Sequence, residues 1–408
     1  MTVAPLRLTG PPAGYPSIAD LVEQVSASTG DLGNALSLPP GVYASPHFYE
    51  FERSAVFANS WLYLCHVCAL PNPGDYLSIT VSGEPLVVTR DQAGDLHVLS
   101  SLCRHRSFPV VEAEERGNAG QLRCPYHFWS YALDGSLQTA PNMEPAHSLG
   151  DLRATICLPR FPVTVWNGFV FTHLGENPEP LEPTLARLDG EFAAHNTAEM
   201  KIGDSVVLRG QPWNWKNMLE NALEAYHTSF IHRGYHDNAP ARLVQFLGFD
   251  ADTENGIMRY ARFLNPDGGF LTEDGKAAFP VIEGLTAEQR GRTVYASVPP
   301  AMFVSMKPDS MMVFRITPEA HDRITLAVDW LYPEATLAQE NFAALIARQR
   351  EFFDIVNGQD SMANERMFAA LGSRFAARGP YSPQEATLPQ FNAWLLKKYR
   401  AGLAGSGA

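Results

Sequence analysis

Residues 103–127 read CRHRSFPVVEAEERGNAGQLRCPYH. One residue separates Cys103 from His105, two separate Cys124 from His127, and 18 lie between the pairs. Two thiols and two imidazoles at such short spacing suggest a metal. A structural zinc site with this composition is tetrahedral, and along the chain it usually pairs Cys with Cys and His with His. Here each pair mixes one Cys with one His. That arrangement suits a two-iron cluster in which one iron takes both thiolates and the other both imidazoles, each loop offering one group to each iron. Neutral imidazoles in place of thiolates raise the reduction potential, to roughly −150 to +300 mV against about −400 mV for all-thiolate clusters.

Around these loops the hydrophobic period is close to two. DYLSITVSGEPLVVTRDQAGDLHVLSSLC (75–103) alternates and is broken by turn signals at Ser82-Gly83-Glu84 and Gln92-Ala93-Gly94. Short strands continue through GQLRC, WSYALDGSL and TVWNGFVFTHL, which predicts a compact β-domain over 58–178. Before it, 1–57 reads as a helical arm packed on the C-terminal domain, with Ser17 as an N-cap for IADLVEQV. After it, the Pro- and Glu-rich GENPEPLEPTLARL marks a boundary, and 179–408 reads as an α+β domain, a sheet with helices against it. WNWKNMLENALEAYHTSFIH (213–232) is expected to be one helix, and 299–333 three antiparallel strands with turns near Lys307-Pro308-Asp309 and His321-Asp322. From about residue 336 onward the pattern is mostly amphipathic helix.

Bulk composition narrows the classes. A formal net charge of −13 (31 Lys+Arg against 44 Asp+Glu) repels phosphate backbones and argues against nucleic acid. The opening MTVAPLRLTGPPAGYPS lacks a signal-peptide pattern, and no apolar run is long enough to span a bilayer, so no membrane partner and a cytoplasmic location are expected. Five cysteines in 408 residues do not make a disulfide framework. Cys65, His66 and Cys68 in LCHVCAL are expected to be core rather than ligands, and Cys157 likewise.

A second constellation follows in the C-terminal half. His227 and His232 lie after Glu224, and far downstream DIVNGQDSMANER places Asp360 ahead of an expected helix. Two His and one carboxylate make the facial triad of non-haem Fe(II) oxygenases, which leaves an open face for oxygen and substrate. The bland readings are core histidines and a helix-capping acid. His236 and Asp237 read as a solvated turn.

Taken with CRHR, the run CPYHFWSYALDG, including Trp129 and the Asp134-Gly135 turn, resembles the Rieske [2Fe–2S] domain. One departure is Phe128, where members commonly carry Gly. Arg106 and Tyr126 stand where respiratory members carry an inter-loop disulfide. With Asn214-Trp215-Lys216, Tyr226-His227 and His232, the resemblance extends to the α-subunit of the Rieske non-haem iron oxygenases, the ring-hydroxylating oxygenase family. It implies an all-β Rieske domain plus a helix-grip catalytic domain. By that resemblance Cys103, His105, Cys124 and His127 hold the [2Fe–2S] cluster, and His227, His232 and Asp360 hold a mononuclear Fe(II), with Asp354 as the fallback ligand.

The resemblance also implies a homotrimer in which electrons pass between neighbouring subunits. Glu224 would bridge His227 of its own chain and His127 of the next, where most relatives use Asp. The chain lacks a dinucleotide fingerprint and a plant-type ferredoxin run, so a separate ferredoxin and/or flavin reductase must supply electrons, with NADH only as the distal donor and O2 as co-substrate.

Candidate walls of the substrate pocket are Met218, Leu223, Phe230, Phe303, Met306, Met312 and Phe314, with Arg315 and Lys307 as carboxylate anchors. Glu before x-Tyr-His, and Asn357-x-Gln359-Asp360, resemble the branch that handles glycine betaine and carnitine. That favours a monooxygenase acting by oxidative N-dealkylation on a small organic substrate, with Trp330, Tyr332 and Tyr235 available as a cage for a cation. The alternatives are hydroxylation of an aromatic ring or its side chain, as in aromatic degradation, and an electron-carrying Rieske protein with no oxygenase activity.

Overall fold

The computed structural model describes residues 16–232, 238–265 and 277–405. Tyr235, His236 and Asp237 lie outside the described residues. The chain divides into two compact units, one of residues Ala58–Glu179, the other of the residues through Phe57 together with those from Pro180 onward.

The smaller unit is built of short antiparallel strands. Five of them (Asp75–Val81, Glu84–Arg90, Leu96–Ser100, Arg116–Asn118 and Arg160–Phe161) form one sheet. Its first hairpin turns on Ser82 and Gly83, both at positive φ (51° and 85°), the type I′ geometry that matches strand twist. Asn167-Gly168 repeats this device between Val163–Trp166 and Phe169–His173. A small third sheet (Leu122–Arg123, Ser130–Tyr131, Leu137–Thr139) carries the second cysteine loop. Leu99, Val110, Leu122, Trp129, Tyr131, Leu137 and Leu158 form the core beneath both loops, and Cys103 and Cys124 are buried in it. None of the five cysteines is paired in a disulfide. Cys65 is core, as its pattern predicts; Cys68 is only half-buried in a turn, and Cys157 is exposed, contrary to expectation, at an isolated bridge to Ser136 rather than in a sheet.

The larger unit has a seven-stranded antiparallel sheet in the order Lys201–Gln211, Arg323–Tyr332, Met311–Ala320, Met302–Met306, Arg292–Val298, Ile257–Arg262, Val244–Phe246. Helices Trp215–Leu223, Phe342–Leu371 and Thr387–Gly405 belong to the same unit. Asn214 caps the first of these by accepting from the Lys216 N–H, while its Nδ2 donates to the Tyr43 and His321 carbonyls. Lys216 and Glu52, both fully buried, form an ion pair at 2.8 Å. The Trp215 indole and the Tyr399 hydroxyl also donate to Glu52, so one carboxylate ties the helix Pro46–Glu52 to two others.

Two expected elements differ. The helix expected over 213–232 ends at Leu223 and resumes only as Thr228–Ile231. Between them Glu224 is extended, and its carboxylate takes the N–H groups of Tyr226 and His227, a local side-chain bond that competes with the helical ladder. Asp360 does not precede a helix: it lies within the 30-residue Phe342–Leu371. The helix runs through Asn357-Gly358 without a break.

Candidate functional site

In the smaller unit, exposed His105 and half-buried His127 lie side by side, their Nδ1 atoms 3.2 Å apart. His105 stacks flat on Trp129, with ring centroids at 5.0 Å. Beneath them the Tyr131 hydroxyl accepts the Arg104 N–H at 3.0 Å and contacts Cys103 Sγ at 3.2 Å. Burial, and then the neighbouring Cys103, push the Cys124 thiol above its ordinary pKa. Two buried thiols below two facing imidazoles fit a cluster of thiolate and imidazole donors, since coordination replaces the thiol protons that burial makes hard to lose unaided. In place of a disulfide, Arg106 lies over the Tyr126 ring at 5.8 Å and Phe108 packs on it at 5.6 Å, which links the two loops. Tyr131 was not among the expected site residues; WSYALDG signalled it only as an apolar strand position.

In the larger unit, His227, His232 and Asp360 converge, their ligand atoms all within 4.8 Å of one another. Asp360 Oδ1 is 3.0 Å from His232 Nε2 and 3.5 Å from His227 Nε2. The far nitrogens are occupied: His227 Nδ1 meets Glu224, and His232 Nδ1 donates to Gln359 Oε1 at 2.8 Å. Second partners of this kind fix the imidazole orientation and leave both Nε2 lone pairs aimed at one point. Asn221 donates to Asp360 at 3.3 Å. Burial lowers the His232 pKa, but the hydrogen bond and charge of Asp360 outweigh it and hold it above the ordinary value, a proton that a metal would displace. Two neutral imidazoles and one carboxylate suit Fe(II) with open positions. Asp354 is not part of this group: it is exposed on another helix face, beside Arg350 at 3.6 Å.

A cavity of about 100 Å³ opens on this trio. Met218, Phe303, Met312 and Phe314 line it as expected. Leu223 and Met306 do not; both are buried on the opposite faces of their elements, and Phe230 is 68% exposed. Strand register supplies what periodicity left open. Arg259 pairs with Tyr295, Tyr295 with Ser305 and Ser305 with Met312, a row across four strands, all on the wall. Phe353 covers the outer edge and packs edge-on against Trp330 at 4.9 Å, so Trp330 is core rather than part of a cage. Tyr332 is core too, bonded to Gln349. Lys307 is buried beside Asp309 and Arg315 donates to Thr317; neither reaches the cavity.

The cation on the wall is Arg259, which sequence reasoning missed. It donates to the carbonyls of Ala222, Leu223 and Glu224 at 2.7–3.2 Å and lies 4.1 Å over the Tyr295 ring. Those carbonyls end the helix that leads into Glu224 and His227, so the guanidinium satisfies acceptors that no further turn would use.

A Rieske-type cluster site and a 2-His-1-carboxylate site on one chain define an oxygen-activating terminal oxygenase. Residues 60–162 match the Rieske [2Fe-2S] domain, and 191–401 match the ring hydroxylating alpha subunit catalytic domain. The chain belongs to the ring-hydroxylating oxygenase α-subunit family, whose members use a [2Fe–2S] cluster, mononuclear iron, O2 and electrons from partner redox proteins. It is 24% identical over 397 residues to the glycine betaine monooxygenase oxygenase subunit of Pseudomonas aeruginosa, covering 90% of each chain. To the carnitine monooxygenase oxygenase subunit of Escherichia coli it is 30% identical over 206 residues, 50% of this chain and 54% of that one. A quaternary ammonium Rieske monooxygenase structure superposes with a TM-score of 0.76 at 22% identity, covering 93% of this chain and 98% of that one. No helix among the described residues is long and apolar enough to cross a membrane.

Proposed function

We propose that this oxygenase oxidises a carbon attached to nitrogen in a small N-alkyl substrate that also carries an anionic group, and that the resulting carbinolamine collapses with loss of an aldehyde. The observation that carries this reading is the cavity wall: Tyr295, Phe303, Phe314 and Phe353 surround the space beside the metal-ligand trio, with Arg259 the one Arg or Lys among the described lining residues. Aromatic rings suit an alkylammonium end, and a buried guanidinium favours a carboxylate over a bare cation. Kinship with glycine betaine and carnitine monooxygenase subunits points the same way.

In this proposal Cys103, His105, Cys124 and His127 hold the cluster, and His227, His232 and Asp360 hold the mononuclear iron. Iron in such a site, when bound, activates O2 with electrons delivered from outside the chain. The chain's own residues prepare the site. Glu224 and Gln359 fix the tautomers of His227 and His232, and Asn221 orients Asp360. Met218, Met312 and the phenylalanines exclude water and hold the alkyl group against the open side. We further propose a homotrimer in which Glu224 links its own His227 to His127 of a neighbouring copy.

The same apolar wall would admit a flat aromatic acid, which keeps ring or side-chain hydroxylation as the second reading. Single-turnover oxidation of the reduced holoenzyme against a panel of N-alkyl acids and aromatic acids separates the two. Stoichiometric aldehyde from an N-alkyl acid is expected. Hydroxylated arene without aldehyde would replace N-dealkylation with the second reading.

A further inference from the structure

Behind the metal-ligand trio lies a second, larger cavity, of about 420 Å³. Asn221 and His227 line both cavities and so form the partition between them. Glu220, Glu385, Glu224, Tyr43 and Tyr381 also face the second cavity, and Met367 is exposed at its rim.

Two further residues give this space a polar, unpartnered lining. Asn217 is fully buried with neither its amide nitrogen nor its amide oxygen bonded to protein, and Asn364, 1% exposed, has an unpartnered Nδ2. Both line the cavity. Burying unpaired amides is costly, and a polar space of this size satisfies them with ordered water.

Hydroxylation balances as RH + O2 + 2 e⁻ + 2 H⁺ → ROH + H2O, so each turnover draws two protons into a site whose substrate side is lined largely by aromatic and Met side chains. We propose that the second cavity holds a water file that carries those protons from solvent through Glu220 to the Asn221–His227 partition. Glu220 releases a proton to the file and is reprotonated from the rim, past Glu385. This rests on the oxygenase reading but not on the choice of substrate.

The surroundings of Glu220 suit a relay. Burial, opposed by the Tyr43 hydrogen bond at 2.6 Å and by Lys216, brings its pKa up to about 7, and Glu385 adds to the rise. Lys216 is held by Glu52, so it does not neutralise Glu220 by direct pairing. Tyr43, Tyr381 and Tyr399 all feel the Glu220 charge and have pKa values raised far above the working range, so they donate hydrogen bonds without losing protons. Glu224 and His227 stand at the far end, paired with each other.

The test uses Glu220→Gln, which keeps shape and removes the proton, and Asn364→Leu, which dries the cavity and leaves Glu220 in place. In metal-free protein, a carboxyl infrared band titrating near pH 7 is expected, shifted in D2O and absent from E220Q. In holoenzyme, with whichever panel compound is oxidised best, both variants are expected to slow product formation at least tenfold. Their solvent deuterium isotope effect should rise, with KM and iron content unchanged. Persistence of the band in E220Q, or a wild-type rate and isotope effect in either variant, would overturn the proposal. The infrared arm needs no substrate, so a failed N-dealkylation assignment leaves it standing.

Discussion

Phe128 follows the proposed cluster ligand His127 with a φ of 60°, in the left-handed region that suits glycine. Its ring is 57% exposed, so little burial compensates for the strain. A side chain there costs about 1–2 kcal/mol, partly offset by the greater entropy glycine has when unfolded. Phe128→Gly should therefore raise the stability of the smaller unit by about 0.5–1 kcal/mol, read as a higher melting temperature. An exposed side chain retained against strain beside His127 is explained if it makes contact during electron delivery. The same substitution is accordingly expected to lower the rate of cluster reduction by the partner redox protein. A more stable variant with unchanged reduction kinetics would leave the strain without a role. The ligand motif was legible in sequence because chemistry dictates those residue types at those spacings. The Phe128 backbone conformation was visible only as a departure from glycine.

At the scale of elements, what could not be read was direction. The helix Phe342–Leu371 turns Asn357, Asp360 and Asn364 inward, a polar inner face that inverts the usual amphipathic signal. On the sheet, alternation told which residues share a face but not which face meets the cavity. Register decides for Ser305 over Met306, and brings in Arg259 from a strand that pattern alone did not implicate. Arg259 is where element and site meet, since its guanidinium holds the carbonyl end of the helix before Glu224. Arg259→Met keeps bulk but leaves three carbonyls without this donor, which should cost about 2–4 kcal/mol. The loop bearing His227 would loosen with it. A lower melting temperature, together with lost mononuclear iron and an intact cluster spectrum, is the expected result. Full iron occupancy in R259M would show that the loop is held by its other contacts.

At the scale of the molecule, the two proposed metal sites fall in different compact units. How copies assemble was not legible, because a subunit interface leaves no periodicity of its own. The proposed trimer has a sharp consequence. Cys124→Ser removes a proposed cluster ligand, and Asp360→Ala a proposed iron ligand, so each protein alone should be inactive, with complementary iron contents. If electrons pass within one chain, mixing the two cannot help, since no chain has both centres. If they pass between neighbours, co-assembled C124S and D360A subunits place an intact cluster beside an intact iron and regain a substantial fraction of turnover. Adding Glu224→Gln to the C124S chain should abolish that recovery, because Glu224 acts from the subunit that holds the iron. The same change in the D360A chain should have little effect. Recovery insensitive to E224Q in either chain would remove the bridge while keeping the trimer.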